Sequence, residues 1–242
     1  MLVGLGAAAA GFVQGLSGFA FAMVSLAFWA WVLPPDSAGP LVVACSLLGQ
    51  LLNGRTTWQG FRLRAAWPFI GGGLLGVPVG AWLLPLIDAG RFRLGFGIFL
   101  VLWCGVMLLA RRLPRVARGG VAGDAAAGWI GGVLGGIGGL SGPVPTLWVT
   151  LRGWDKASQR AMFQAFNTSM HVLALSAFAA KGLVGMEEVR LFALAAPSML
   201  LPLWAGTRMY ARLGELDYRR IVMLLLMAAG LMMIVNGIPK PG

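Results

Sequence analysis

"GGVLGGIGGLSGPVP", residues 131–145, packs seven glycines and two prolines into fifteen positions. Its flanks, "DAAAGWI" before and "TLWVTL" after, are apolar enough for a lipid bilayer. Glycine and proline are the poorest helix formers, and backbone exposed to lipid has to satisfy its own N–H and C=O groups. The stretch therefore predicts a helix broken at membrane depth and sheltered by other helices. Pro143 and Pro145 withhold N–H donors and force the break. The glycines let the backbone come close to a neighbour or a ligand.

The whole chain fits that setting. It is 58% hydrophobic and only 11% charged, with a mean hydropathy of +0.81, whereas about a quarter of the residues of a soluble domain are charged. The alternating strands of an outer-membrane barrel are missing from the pattern. Apolar runs cover roughly 2–33, 40–54, 67–87, 94–110, 121–151, 161–180, 189–207 and 221–238, with charged loops between them. The fold class expected is all-α, a polytopic bundle of transmembrane helices. The opening "MLVGLGAAAAGF" has no charged leader and is expected to be a membrane segment, not a signal peptide. The net charge of +11 sits in short loops and not on a basic domain, so lipid is an expected partner and nucleic acid is not. Cys45 and Cys104 lie in separate apolar runs without metal or CxxC spacing.

Two of the runs have an awkward length. Residues 2–33 as one helix would measure on the order of 48 Å at 1.5 Å per residue, against a hydrocarbon core of about 30 Å. That is too long for one span and too short for two. If each long run crosses once, lysine and arginine divide ten to nine between the two faces; if each returns to its own side, they divide fourteen to five. Only the second arrangement obeys the positive-inside rule. It gives six crossings plus two broken or re-entrant hairpins, with loops 55–66, 111–120, 152–160 and 208–220 on the cytoplasmic face.

The chain also resembles itself. A shift of 120 residues lays Gly11, Val13, Gly15, Gly18 and Val24 on Gly131, Val133, Gly135, Gly138 and Val144. One residue fewer lays Asp36 on Asp155, and a shift of 126 lays Gly80 on Gly206 and Arg93 on Arg219. Two halves follow, 1–115 and 116–242, each a glycine-rich hairpin and then three spans. With an odd number of crossings in each, the halves are expected to be inverted relative to one another, an arrangement common in transporters.

Polar side chains within the runs are few. Gln14 and Ser17 occupy the first hairpin and Ser141 the second; Ser46, Gln50 and Asn53 lie on 40–54, and Gln164, Asn167, Thr168 and His171 on 161–180. The last four fall at i, i+3, i+4 and i+7, on one helix face. Such residues either bond neighbouring helices or meet a ligand. A helix broken at mid-membrane presents backbone N–H groups and a dipole that attract an anion. No span carries a central Asp or Glu, which a cation pathway would want, so an anionic substrate is favoured. Paired carboxylates, H-E-x-x-H and the phosphate-binding loop are all missing, so neither an enzyme nor a cofactor or metal is expected. His171, the only histidine, has a proton-handling role open to it.

The pairing of "GFVQGLSGFAFAMV" with "GGVLGGIGGLSGPVPTLW" resembles the TauE/SafE sulfite exporter family of bacterial anion transporters. So do the small helices that follow, "AGPLVVACSLLGQLLNG" and "KASQRAMFQAFNTSMHV", and the stretch "GGGLLGVPVGAWLL". The likeness covers nearly the whole chain; "GFAFAM" departs from the proline- and glycine-richer family pattern. It implies transport of sulfite or small organosulfonates across the inner membrane, usually as export. The expected site joins Gly138, Gly139, Ser141, Gly142, Gln164, Asn167 and Thr168 with Ser17, Gln50 and Asn53 of the other half, and His171 is the candidate for proton coupling. Arg55, Arg111, Arg112 and Arg152 are expected as charge anchors on the cytoplasmic side. A passive channel or a non-transporting scaffold remains an alternative at this level, and a homodimer is compatible with the sequence.

Overall fold

The computed structural model describes residues 1–18, 20–53, 63–109, 116, 119–210 and 215–237. Within them the chain is helical, in ten α-helices and one short 3₁₀ turn, Leu84–Leu86. The helices are α1 (Leu2–Ser17), α2 (Phe21–Trp29), α3 (Pro35–Asn53), α4 (Leu63–Leu83), α5 (Ala89–Leu109), α6 (Gly120–Gly138), α7 (Pro143–Leu151), α8 (Lys156–Ala180), α9 (Met186–Tyr210) and α10 (Glu215–Gly237). Each half thus runs as a long helix, a helix of nine residues and three further long helices.

Both long apolar runs are broken, and both fold back. α1 ends at Gly18 in the left-handed conformation, φ 85°. α6 ends at Gly139, φ 71°. Only glycine adopts that conformation without a Cβ penalty. The two caps lie 121 residues apart, and so do the first residues of α3 and α8, Pro35 and Lys156. These spacings differ by one from the shift of 120 suggested by matched residues, and the short helices α2 and α7 stand 122 apart. α2 returns along α1 until the Trp29 indole donates to the Val3 carbonyl at 3.1 Å. α7 returns along α6 until Trp148 donates to Asp124 at 2.7 Å, and Arg152 pairs with the same carboxylate at 2.6 Å.

Glycine then decides what packs on the hairpins. On α4, Gly72, Gly76 and Gly80 are spaced by four, and on α6 Gly128, Gly132 and Gly136 repeat that spacing. A methyl at any of these six would meet backbone of the opposite helix, so the helices touch main chain to main chain, the small-xxx-small contact of membrane helices. α1 and α9 form the matching seam, in which Gly11 abuts Met199, and Gly15 abuts Leu203 and Gly206. In both seams residue numbers rise together, so the paired helices are parallel. α5 packs along α10 through Gly97 and Gly230.

α3 and α8 cross the centre in opposite directions. The side chain of Gln164 bonds the Gln50 carbonyl at 2.8 Å, while Gly39, at the other end of α3, faces the ring of Phe178. The apolar interior divides around them. One part gathers hairpin 1, α3, α5, α9 and α10 about Trp29, Phe21 and Leu100; the other gathers α4, α7 and α8 about Phe69, Phe166 and Phe178. Large apolar side chains such as Trp67, Leu75, Trp82, Leu201 and Trp204 are left on the outer surface, where lipid tails are the only solvent that suits them. Residues 65–86, 89–109 and 186–209 are long and apolar enough to cross a bilayer. α3 and α8 carry most of the buried polar side chains, Ser46, Gln50, Gln164, Asn167 and His171.

Candidate functional site

The middle of the α3–α8 pair is polar and sealed. Gln50, Ser46, Asn167 and His171 are each less than 4% exposed, and Gln164 is 8% exposed. Two links fix its extent. At one end Gln164 ties α8 to Gln50. At the other, the tip of hairpin 2 is wedged between the helices: Gly139 lies against Val42 and Val43, and its carbonyl is 3.2 Å from Nε2 of His171. Ser46, Asn167 and Thr168 are bracketed between these links. Hairpin 1 reaches the same part of α3, where Gln14 donates to the Ser46 carbonyl at 3.0 Å and lies against Gly49.

What marks this region is the number of polar atoms left over. Gln14 Oε1, Ser46 Oγ, Gln50 Oε1, Ser141 Oγ, Asn167 Oδ1, Thr168 Oγ1 and His171 Nδ1 are buried without a hydrogen-bond partner. Each unmet buried group costs about 1–3 kcal/mol, and native interiors hold few of them. Seven of them fall on the two central helices and the two hairpins beside them. Ser141, fully buried at the break, sits over Gly135. The break also exposes main-chain donors. Gly139 N–H and Leu140 N–H turn back onto α6, and Thr146 N–H bonds Gly142. The N–H groups of Ser141, Gly142 and Val144 bond no backbone acceptor among the described residues. They lie at the start of α7, the positive end of its dipole.

Of the residues expected at the site, Gln164 meets Gln50 and His171 meets Gly139; Asn167 and Thr168 lie between these links on α8, and Ser141 and Gly142 follow Gly139 at the break. Gly138 lies just behind the tip, against Leu26 of α2 and Phe92 of α5. Ser17 is differently employed. Its hydroxyl donates to the Val13 carbonyl and accepts from Ala20 N–H at 3.1 Å, holding the break in hairpin 1. The Asn53 side chain, Arg55, Arg111 and Arg112 lie outside the described residues. Arg152 is no free anchor: it closes the base of hairpin 2 onto Asp124. Asp124 itself is 7% exposed and lies beyond the first turn of α6. Gln14 and Ser46 join the cluster without having been expected in it. Ser46 stands one turn before Gln50, on the same face of α3, and that spacing is the signal in the sequence.

An apolar groove of about 360 Å³ opens on the other side of α3, lined by Leu41, Ala44, Leu48 and Phe192 with Glu188 at its edge. It offers an anion no donor and one repelling charge. No cluster of three or more potential metal ligands occurs among the described residues.

Broken hairpins around a sealed polar centre, inside a ring of apolar helices, define a membrane protein of transporter type. The comparisons narrow the class. The sequence model of the sulfite exporter TauE/SafE family matches residues 3–233, so the chain belongs to that family of membrane transporters. No curated protein and no solved structure matches the chain significantly.

Proposed function

We propose that the protein is a secondary transporter of small sulfur-containing anions, sulfite or organosulfonates, across the bacterial inner membrane, exporting them by alternating access. The observation that carries this reading is the set of unpartnered polar atoms between the tip of hairpin 2, α3 and α8. The hydroxyls of Ser46, Ser141 and Thr168 and the free N–H groups at the start of α7 supply hydrogen bonds to a small oxyanion, and helix polarity supplies the field. The lack of a carboxylate in the centre fits an anion, and the fourteen-to-five division of basic residues fits a cytoplasmic membrane.

Inverted repeats support the alternation. α3 and α8 hold equivalent places in the two halves and run antiparallel, and the first helix of each half lies parallel to the fourth helix of the other, α1 with α9 and α6 with α4. A two-fold axis in the membrane plane relates such pairs. The sealed centre then corresponds to an occluded state, and movement of the repeats against each other opens it to either face.

Uptake of sulfite into proteoliposomes of the purified protein tests the reading, beside empty vesicles and sulfate, with and without a pH gradient. Saturable sulfite flux is expected. Flux that rises linearly with concentration would make the protein a channel. No flux for sulfite or for any of a panel of small sulfonates would make it a scaffold, with glycines that serve packing alone.

A further inference from the structure

We infer that the substrate is bound as a singly protonated oxyanion whose own O–H is donated to Nδ1 of His171, an inference that rests on the polar centre being the substrate site. It begins with the tautomer. Nε2 of His171 lies 3.2 Å from the Gly139 carbonyl oxygen. A carbonyl only accepts, so Nε2 carries hydrogen, and in a neutral imidazole Nδ1 is then an acceptor and nothing else. Nδ1 is buried and has no partner. What satisfies it must bring a hydrogen.

The surroundings favour a neutral ring. His171 is 3% exposed. On α8 its neighbours one and two turns back are Thr168, Asn167 and Gln164, and the charged residues of that helix stand at its ends, Lys156 and Arg160 at one and Lys181 just past the other. Hairpin 2 meets it with Gly139, and the acid of that hairpin, Asp124, is engaged with Arg152 and Trp148. α3 contributes Val42 and Val43 behind Gly139. Its Asp36 lies in the first turn, and Cys45 belongs to the apolar core around hairpin 1. On α4 the contacts with α8 run through Gly73 to Phe166 and Met170. A lone imidazolium here would have no counter-charge from the described residues, and an unpaired buried charge is costly. Gln50 Oε1 and Asn167 Oδ1 add further unpartnered acceptors. Such a lining suits an oxyanion that keeps one hydroxyl, with its bare oxygens turned to the Ser46, Ser141 and Thr168 hydroxyls and to the N–H groups of α7.

Hydrogen sulfite has that chemistry; a sulfonate, with every head-group oxygen bare, does not. Carrying the hydrogen on the substrate also halves the charge of sulfite before it enters a region of low permittivity. It moves a proton with each anion through a protein whose centre holds no carboxylate.

Calorimetric titration of the purified full-length protein with sulfite and with methanesulfonate, from mildly acidic to mildly alkaline pH, tests this. Methanesulfonate has the same head group and single charge but no O–H. Sulfite affinity, counted against total sulfite, is expected to fall about tenfold per pH unit above the second ionisation of sulfurous acid. Methanesulfonate is expected to bind at least about tenfold more weakly than hydrogen sulfite at every pH. His171→Leu fills much of the same space and has no acceptor; in it the two anions should bind within about threefold of each other. The wild-type pair of titrations decides the matter even where that variant does not fold. Sulfite binding that ignores pH overturns the inference, as does methanesulfonate that binds as tightly as sulfite or gains in acid, which would place the proton on the protein; both leave the substrate-site reading standing. Binding of neither anion at any pH overturns the substrate-site reading and this inference with it.

Discussion

The two hairpins share an outline and differ at the tip. At the break of hairpin 1 Ser17 takes the Ala20 N–H; the first turn after the break is closed alike in both hairpins, by the Ser25 hydroxyl on the Phe21 carbonyl and the Thr146 hydroxyl on the Gly142 carbonyl. Hairpin 2 leaves Ser141 unpartnered, enters α7 through two prolines, and lends the Gly139 carbonyl to His171. Even the caps differ. A methyl on Gly18 would point into open space, whereas one on Gly139 would collide with Val42 and Val43. Two hairpins of like outline thus differ in their tip serines, one partnered and one unpartnered beside a polar centre. The proposed substrate site is accordingly off-centre, weighted to hairpin 2 and α8, with α3 as the contribution of the first half.

Substitutions can break that comparison or sharpen it. The largest effect should come where the hairpins are alike. Gly15→Val and Gly76→Val drive a side chain into the backbone of the partner helix, and each should cost about 3 kcal/mol or more, read as loss of a monodisperse peak in size-exclusion chromatography of the detergent-solubilised protein. A seam that tolerated valine while the other collapsed would show that only one hairpin depends on close glycine packing. Next come the caps. Gly18→Ala should cost about 1–2 kcal/mol from the left-handed backbone alone, and Gly139→Ala clearly more, seen as a larger drop in melting temperature. Equal drops would contradict the wedged tip.

Asp124→Asn should follow, at about 1–3 kcal/mol, by weakening the bonds from Arg152 and Trp148 that close hairpin 2. Its signature is a lowered melting temperature that Arg152→Ala does not lower further. The smallest stability effect belongs to Ser141→Ala. Its hydroxyl bonds no protein group, so melting should stay within about 0.5 kcal/mol of wild type while sulfite affinity drops several-fold. The exposed pair of Asp88 and Arg91 bears on neither hairpin, and Arg91→Ala should leave both stability and flux unchanged.

Much of this was legible in the sequence because it rests on lengths and signs. A run of 32 residues that suits neither one crossing nor two, and a charge count that balances only one way, imply folding back. Glycine followed by paired prolines locates the break in hairpin 2. The polar face of α8 follows from spacing alone. What the sequence hid depends on who meets whom. Ser17 and Ser141 are both serines beside glycines, and only the fold shows that one has partners and the other none. Gln14 enters the centre because hairpin 1 leans on α3 at Ser46 and Gly49. Arg152 looked like a loop charge because Asp124, 28 residues away, becomes its neighbour only when α7 folds back. The 121-residue spacing of the two caps was masked because the matching residues are glycines and valines, common in any membrane helix.

The most direct test sets the tips against each other in one assay: initial rates of sulfite uptake into proteoliposomes bearing wild type, Ser141→Ala or Ser17→Ala, at matched amounts of folded protein. The account predicts that Ser141→Ala loses several-fold in flux at low sulfite with its melting temperature kept, because it removes a hydroxyl that has no protein partner. Ser17→Ala should transport at near wild-type rate while melting earlier. The reverse pattern, with flux lost at Ser17 and kept at Ser141, would contradict the claim that the unfinished tip of hairpin 2 is where the anion binds.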